Sequence, residues 1–157
     1  MTFTHRFHPY IGLIVIALIV ANVCIATSAH EDYKILRQFY NESNGKYWKP
    51  NCTTNWTTLN DSTDVCSLYG VTCEQQSPNN IWHLNLTDCN LSSSSFPTSL
   101  VSLQKVTSID LSFNQLAGSL FIFNTYGWSS LQTLRLAFNK FSGEIPEVYL
   151  SKLTTLV

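Results

Sequence analysis

Apolar residues return at fixed positions through the second half of the chain. Three consecutive units carry an aliphatic residue at their first, fourth and sixth positions, and the units begin 25 residues apart. The alternation between the fourth and sixth positions predicts a short strand with one buried face. One unit cannot bury that face alone, so the pattern predicts that the units stack and share a parallel sheet. The recurring positions are Ile81, Leu84, Leu86, Cys89 and Leu91, then Val106, Ile109, Leu111, Asn114 and Leu116, and then Leu131, Leu134, Leu136, Asn139 and Phe141.

The ninth position of each unit breaks the apolar pattern. Asn114 and Asn139 occupy it in the second and third units, and Cys89 occupies it in the first. An Asn amide that turns inward after a strand can bond backbone groups of neighbouring units, which the turn would otherwise leave buried and unsatisfied. Cys89 is small and a weaker hydrogen-bonding group, and we interpret it as a buried structural thiol rather than as a disulfide partner.

The second halves of the units define a subclass of repeat. Residues 141–146 read FSGEIP and residues 116–120 read LAGSL, whereas residues 91–97 read LSSSSFP, with no glycine and one extra residue before the proline. The first of these segments, and in part the second, resembles the plant-type extracellular leucine-rich repeat, whose signature after the Asn is L-x-G-x-I-P. The resemblance implies an additional short strand on the convex side, and the departure in the first unit argues against that strand there.

The residues before the repeats resemble the N-terminal cap of the same family. Residues 66–73 read CSLYGVTC, which keeps the spacing of the family's C-x-W-x-G-V-x-C motif with Leu68 in place of Trp. Upstream of it, apolar residues at helical spacing predict one helix, which Gly45 ends. Such a cap covers the open apolar face of the first coil. The apolar residues of the predicted helix are Ile35, Leu36, Phe39 and Tyr40.

The resemblance implies an α/β fold: a right-handed leucine-rich-repeat solenoid, or horseshoe, with a helical, disulfide-bearing N-terminal cap. We assign residues 1–29 to a signal peptide, 30–80 to the cap and 81–157 to repeats that begin at residues 81, 106 and 131. The constant spacing predicts a fourth repeat that begins at Leu156. A solenoid normally ends in a polar cap, so we expect the chain to be the N-terminal part of a longer protein.

The first 29 residues have the three-part layout of a secretory signal peptide. Arg6 precedes an apolar run from Ile11 to Ile25, and the small residues of segment 26–29 follow it. The alternative is an uncleaved membrane anchor, although the run is shorter than the roughly 20 residues that a transmembrane helix needs.

Secretion decides how the remaining cysteines are interpreted. In an oxidising compartment, Cys66 and Cys73 are close enough in sequence that we predict a disulfide between them. Cys52 is left over: it is either free or exchanges with another cap cysteine. A structural zinc site needs two close ligand pairs, and only His83 lies near the other thiols, so we predict no metal site and no cofactor.

Six N-x-S/T sequons accompany the signal peptide, and four of them lie between residues 41 and 62. A single sequon means little, but this density in a secreted chain predicts a glycoprotein. The acceptor residues are Asn41, Asn51, Asn55, Asn60, Asn85 and Asn90.

The outward side chains of the parallel strands line the concave surface, which is the usual binding face of a solenoid. Asp110 and Arg135 share one column, and we favour an exposed inter-repeat ion pair over a polar anchor for a ligand. Phe113 and Phe138 share another, as either a platform for a sugar or peptide or a mutually stabilising ladder. The candidate ligand-binding residues are Trp82, His83, Asp110, Phe113, Arg135 and Phe138.

Catalysis is not expected from this chain. His83, Ser108 and Asp110 project from adjacent predicted strands, but an open sheet neither shields a base nor supplies an oxyanion site. The sequence also carries no nucleophile-elbow motif. We therefore predict no enzyme here, and a kinase domain could exist only in a missing C-terminal part.

Charge excludes one class of partner, and the resemblance suggests another. The formal net charge is −1 and the basic residues are scattered, so no nucleic-acid footprint is present. The resemblance implies a non-catalytic recognition module, secreted or at the cell surface, that binds a peptide, protein or polysaccharide as the N-terminal fragment of a receptor-like protein. The alternatives are a secreted inhibitor of a wall-degrading enzyme, similar to polygalacturonase-inhibiting proteins, and a structural or adhesion glycoprotein. Membrane attachment is expected only through a missing C-terminal segment or an uncleaved signal anchor.

Overall fold

The computed structural model describes residues 31–75, 77–120, 128–144 and 153–157. The predicted signal peptide at residues 1–29 lies outside the described residues, as do the last two residues of the FSGEIP segment. Within the described part the chain forms a cap followed by stacked coils, each of which contributes a strand to a common sheet. The predicted α/β leucine-rich-repeat solenoid is confirmed.

The cap consists of one helix, short 3₁₀ turns and one strand. Helix α1 covers residues 31–42, and its apolar face packs into a cluster with the two tryptophans of the following turns. Trp48 and Trp56 lie with their ring centroids 5.0 Å apart, and each indole N–H is bonded to a buried or half-buried backbone carbonyl. The 3₁₀ turns are Gly45–Tyr47, Pro50–Cys52 and Val65–Ser67, and strand β1 is Val71–Glu74.

The repeats supply seven more strands, arranged in two sheets. Five strands form the larger sheet in the order β1-β2-β4-β6-β8, and three form the smaller one in the order β3-β5-β7. Strand β1 runs antiparallel to β2, whereas the repeat strands of the larger sheet run parallel to one another. The remaining elements are β2 Ser77–Asn85, β3 Ser92–Ser93, a 3₁₀ turn Thr98–Ser102, β4 Ser108–Asp110, β5 Gln115–Ser119, β6 Thr133–Arg135, β7 Lys140–Ser142 and β8 Thr155–Leu156.

The register of the larger sheet matches the sequence alignment of the first three units. Leu84 lies opposite Ile109, and Ile109 lies opposite Leu134, so the fourth positions of three successive coils stack directly. All three side chains are at most 2% exposed. Their alternation with outward residues is what a strand with one buried face requires.

The fourth repeat begins three residues earlier than the constant spacing predicts. Leu156 lies opposite Leu134, which makes it a fourth-position residue and not a first-position one. The backbone bond from Leu136 N–H to the Val157 carbonyl (2.7 Å) is equivalent to the bond from Leu111 N–H to the Arg135 carbonyl (2.9 Å) one coil earlier. The prediction of Leu156 as the start is therefore wrong, because the hydrogen-bonded register places Leu153 there. Leu153 and Leu156 repeat the same L-x-x-L spacing, so both frames fit the sequence.

The ninth-position asparagines behave as the sequence predicts. The Oδ1 atom of Asn114 accepts from the N–H groups of Cys89 (3.1 Å) and Leu91 (2.9 Å), and its Nδ2 donates to the carbonyls of Leu86 (2.8 Å) and Leu111 (2.9 Å). Asn139 repeats three of these four bonds one coil later, with the N–H of Leu116 and the carbonyls of Leu111 and Leu136. Each amide thus joins its own coil to the preceding one and satisfies backbone groups that the turn buries.

Cys89, in contrast, forms a disulfide with Cys52, with their Cα atoms 5.7 Å apart. The interpretation of Cys89 as an unpaired structural thiol is wrong, and the open pairing of Cys52 is decided. The reason is positional: no coil precedes the first one, and the cap's 3₁₀ turn at Pro50–Cys52 occupies the place where a preceding coil would lie. Cys66 and Cys73 form the second disulfide, with Cα atoms 5.6 Å apart.

The smaller sheet includes the first repeat. Ser92 in β3 lies opposite Gln115 in β5, so the expectation that this strand is absent from the first unit is wrong. Strand β3 is defined by its backbone hydrogen bonds. In addition, the Ser92 N–H donates to the carbonyl of Ser43 in the cap (3.1 Å). The second coil, in contrast, requires its glycine. Gly118 has φ of 108°, and a Cβ atom there would lie 2.4 Å from the backbone nitrogen of Phe96.

Candidate ligand-binding surface

The outward side chains of the larger sheet form two parallel rows across three coils. One row contains His83, Ser108 and Thr133, and the next contains Asn85, Asp110 and Arg135. Neighbouring strands lie about 4.8 Å apart, so each row can present three side chains to one extended ligand. His83 and Asn85 are exposed, and the other four are half-buried.

Asp110 and Arg135 are neighbours in the register, but they form no ion pair among the described residues. The carboxylate oxygen Oδ1 of Asp110 accepts from the backbone N–H of Ser112 at 3.0 Å. Asn85 makes the same local bond to Thr87 at 3.1 Å, so this position turns back on its own chain in both coils. The favoured interpretation as an inter-repeat ion pair is wrong, because the Asp110 carboxylate instead bonds the backbone of the turn that ends its own strand.

Trp82 and His83 lie in β2, three and two residues before Asn85, where this turn begins. The indole of Trp82 is 45% exposed, and its centroid is 4.8 Å from that of the His83 ring. The Trp82 carbonyl accepts from both the N–H (2.8 Å) and the hydroxyl (3.1 Å) of Thr107, which fixes the backbone beneath the indole.

Phe113 and Phe138 stack on each other at the carboxyl ends of the strands. Their centroids are 4.4 Å apart and their planes differ by 17°, yet the rings remain 53% and 71% exposed. Both residues have positive φ, as does Asp88 at the same position of the first coil. The stack has the geometry that a mutually stabilising ladder requires, and the exposed parts of both rings are free to contact a ligand.

Two features beside the aromatic pair were not anticipated from the sequence. Asp88 forms an ion pair with Lys49 of the cap. A ladder of polar side chains also runs along the tenth position: Gln115 Nε2 donates to Asn90 Oδ1 at 2.8 Å, and Lys140 Nζ lies 3.5 Å from Gln115 Oε1. The 25-residue spacing of these three polar residues was available as a signal, whereas nothing in the pattern links Lys49 to Asp88.

The six sequons differ in how the fold uses their side chains. Asn85 is exposed on the outward face of the larger sheet, in the row with Asp110 and Arg135. Asn55 has φ of 63°, and its Nδ2 contacts both the carbonyl and the hydroxyl of Ser67. Asn90 is half-buried in the polar ladder, and the other three acceptors, Asn41, Asn51 and Asn60, are exposed on the cap.

One titratable group lies at the joint between the cap and the first coil. Burial, and after it the charge of Glu31, raise the pKa of Asp32 to about 6, and a hydrogen bond from the Ile81 backbone opposes both effects. The group lies at the start of α1, whereas the candidate ligand-binding residues lie on the coils. Its protonation therefore bears on cap docking rather than on chemistry at the concave face.

Neither metal ligands nor a membrane span is found in the described part of the chain. No three His, Cys, Asp or Glu side chains converge there as a metal site would require. No helix within residues 31–75, 77–120, 128–144 and 153–157 is long and apolar enough to cross a bilayer.

Comparison with known proteins agrees with the architecture. The family described as the leucine rich repeat N-terminal domain matches residues 29–74, and the leucine rich repeat family matches residues 130–151. Among solved structures, the BIR3–SERK2 complex from Arabidopsis thaliana matches at a TM-score of 0.57 and 27% identity, over 76% of this chain and 65% of that one.

Two further solved structures are similar. The Arabidopsis receptor kinase HAESA, in complex with the peptide hormone IDA and the co-receptor SERK1, matches at a TM-score of 0.62 and 28% identity over 80% of this chain. The BIR2 ectodomain from Arabidopsis thaliana matches at 0.54 and 27% over 71%. The present chain covers 20% of the HAESA-complex chain and 58% of the BIR2 chain, so it spans less than two thirds of all three. The capped, asparagine-linked coils and these matches identify a leucine-rich-repeat N-terminal domain and a leucine-rich repeat in this chain, which is similar to the solved Arabidopsis structures above.

Proposed function

We propose that this chain is a non-catalytic recognition module that binds a peptide or protein segment along the concave face of its larger sheet. The residues we assign to ligand contact are Asp110 and Arg135 in the centre, Trp82 and His83 at one end of the strands, and Phe113 and Phe138 along the other.

The observation that carries the proposal is the environment of Arg135. Its guanidinium has no hydrogen-bond or ion-pair partner among the described residues, although Asp110 is its direct neighbour in the register. A half-buried guanidinium with open donors favours a carboxylate or a row of carbonyl groups from a ligand. An extended peptide rises about 3.3 Å per residue, so a segment of about four residues spans three coils that lie about 4.8 Å apart.

The similar structures support the class of partner. HAESA is in complex with a peptide hormone and a co-receptor, and BIR3 is in complex with SERK2. These partners belong to those proteins, and we infer for this chain only that a peptide or a protein is a more suitable ligand than a small molecule. A polysaccharide and a cell-wall-degrading enzyme remain outcomes of the binding experiment below.

We further infer an extracellular or cell-surface location and no catalytic role. The predicted signal sequence, two disulfides in the cap region and ectodomain-like neighbours support the location. An open sheet without a shielded base supports the absence of catalysis, since a triad needs an oriented base and an oxyanion site.

The test is a binding screen with the full chain secreted from a eukaryotic host. The probes are a synthetic array of random peptides, a set of cell-wall oligosaccharides and a cell-wall-degrading enzyme, each compared between the parent and Arg135→Gln. We expect the selected peptides to carry an acidic group and to bind Arg135→Gln about tenfold more weakly, since a charge-assisted contact contributes about 1.4 kcal/mol or more.

Lys34→Gln is the matched control, because Lys34 is an exposed cation on α1 of the cap that pairs with Glu31. It should leave binding unchanged. Selected peptides that bind both variants like the parent would contradict the proposal, and selective retention of oligosaccharides or of a wall-degrading enzyme would favour the alternative functions.

A further inference from the structure

We propose that Asn90 carries an N-linked glycan whose first sugar packs on the exposed Phe113–Phe138 pair. This inference goes beyond the proposed function, because it assigns Phe113 and Phe138 to an occupant from the protein itself when Asn90 is glycosylated, and it leaves the peptide the face around Asp110 and Arg135.

The ladder fixes the Asn90 side chain and leaves it one position for substitution. Its Oδ1 accepts from Gln115 and its Nδ2 donates to the Tyr47 carbonyl, each at 2.8 Å. A primary amide nitrogen carries two hydrogens, and the bonds among the described residues use one of them. A glycan therefore replaces the second hydrogen while both ladder bonds persist.

The co-reactant that donates the glycan is a lipid pyrophosphate-linked oligosaccharide. The bond between Asn90 Nδ2 and the sugar carbon C1 forms, and the bond from C1 to the pyrophosphate oxygen breaks. The lipid pyrophosphate leaves with the electron pair, and the amide nitrogen loses one proton. Ser92 supplies the third residue of the acceptor sequence.

The aromatic pair begins on the coil next to that of Asn90. Gln115, which bonds Asn90 directly, follows Phe113 by two residues, and adjacent coils of the sheet are about 4.8 Å apart. The two rings expose a continuous apolar surface of 53% and 71% of their areas. A pyranose ring has an apolar C–H face that an aromatic ring can cover, and such cover removes an exposed apolar patch from water.

The contrast with Asn55 shows what the geometry at Asn90 permits. At Asn55 the Nδ2 atom lies 2.8 Å from the carbonyl and 3.2 Å from the hydroxyl of Ser67. A glycan on Asn55 would displace one of these contacts, whereas a glycan on Asn90 displaces no bond among the described residues.

The experiment uses the full chain secreted from a eukaryotic host. Mass spectrometry of glycopeptides measures occupancy at Asn90, and Ser92→Ala removes the acceptor sequence while it keeps the Asn90 amide. Ser92→Thr is the matched control that retains the sequon. We expect Ser92→Ala to lower Tm by about 2 to 4 °C relative to Ser92→Thr.

The decisive comparison repeats this pair of variants in a Phe113→Ser, Phe138→Ser background. The loss of the Asn44 contact to the Ser92 hydroxyl is common to both backgrounds and cancels. The Tm difference should shrink to within error when the rings are absent. An unglycosylated Asn90, or an equal Tm loss in both backgrounds, overturns the inference.

If the double Phe variant is not secreted, NMR of the glycosylated parent provides the test. The N-acetyl methyl resonance of the first sugar on Asn90 should shift upfield through the ring currents of Phe113 and Phe138. A methyl resonance at the position seen for a free glycan overturns the inference. Neither readout depends on Arg135, so it can fail while the proposed peptide binding stands.

Discussion

The first and second coils bury the same strand positions but fasten their ninth positions differently. In the second coil, Asn114 bonds backbone groups of the coil before it and of its own coil. In the first coil, Cys89 is joined covalently to Cys52 of the cap. The difference shows that the asparagine requires a preceding coil whose backbone groups match its amide. Where an antiparallel strand and a 3₁₀ turn precede the coil instead, a side chain that needs only one covalent partner takes its place.

The largest expected effect breaks the covalent joint. The double variant Cys52→Ser, Cys89→Ser opens a loop with a sequence separation of 37, and we expect it to lower the free energy of unfolding by about 3–4 kcal/mol. The physical reason is the chain entropy that the cross-link removes from the unfolded state. Urea denaturation monitored by tryptophan fluorescence of the cap measures the change.

The second disulfide is the control for that measurement. Cys66→Ser, Cys73→Ser opens a loop with a separation of 7, for which the same entropy argument gives about 2 kcal/mol. An equal or larger loss from the shorter loop would contradict the view that the Cys52–Cys89 joint is the principal fastening of the cap.

A smaller effect is expected at the amide joint. Asn114→Ala leaves the N–H groups of Cys89 and Leu91 and the Leu86 carbonyl buried without their partner, and we expect a loss of about 3 kcal/mol. Asn139→Ala is the matched comparison. It should cost about 1–2 kcal/mol, because Asn139 is half-buried and water can reach the groups it leaves. Equal losses measured by urea denaturation would show that burial does not distinguish the two joints.

The smallest effect concerns pH at the cap joint. The pKa of Asp32 is about 6 in the folded chain against an ordinary value of 3.8, so the folded state holds a proton that the unfolded state releases. Its contribution to stability is therefore fully present below about pH 4 and is lost as the pH rises through about 6. Asp32 is only partly buried, so solvent screening reduces the effect to about 1 kcal/mol.

The variant Asp32→Asn measures this pH effect. It keeps an oxygen for the Ile81 N–H and should be about 1 kcal/mol more stable than the parent at pH 7.5 and equal to it at pH 4. Asp61→Asn removes a charge from an exposed cap loop and should show no such pH dependence. Parallel stability–pH profiles for Asp32→Asn and the parent would show that protonation of Asp32 does not affect the stability of the cap joint.

The sequence predicted the architecture well because the repeating pattern and the packing obey the same geometry. The stacking of Leu84, Ile109 and Leu134 follows directly from the two-residue alternation of a half-buried strand. The bonds of Asn114 follow equally from the need to satisfy a buried turn. Both inferences require only that neighbouring units be alike.

Two of the errors occurred where neighbouring units are not alike, and a third where a local bond competes with a contact between coils. Cys89 faces a cap and not a coil, so the repeat template gave the wrong partner for it. Leu153 and Leu156 both satisfy the apolar pattern, and only the hydrogen-bonded register, with Leu156 opposite Leu134, distinguishes the two frames. Asp110 lies beside Arg135, but the competing bond to its own chain at Ser112 is a three-dimensional fact that spacing does not contain.

The Cys52–Cys89 bond also constrains how this array of coils can change in evolution. Coils joined by asparagine amides and parallel strands present equivalent upper and lower faces, so a unit can be duplicated or lost among them with its bonding pattern preserved. The first coil lacks that freedom, because its lower face is matched by one cysteine to one particular cap. We therefore expect repeat number in relatives that keep both cysteines to vary only beyond the first coil, with the cap and that coil inherited as a single unit.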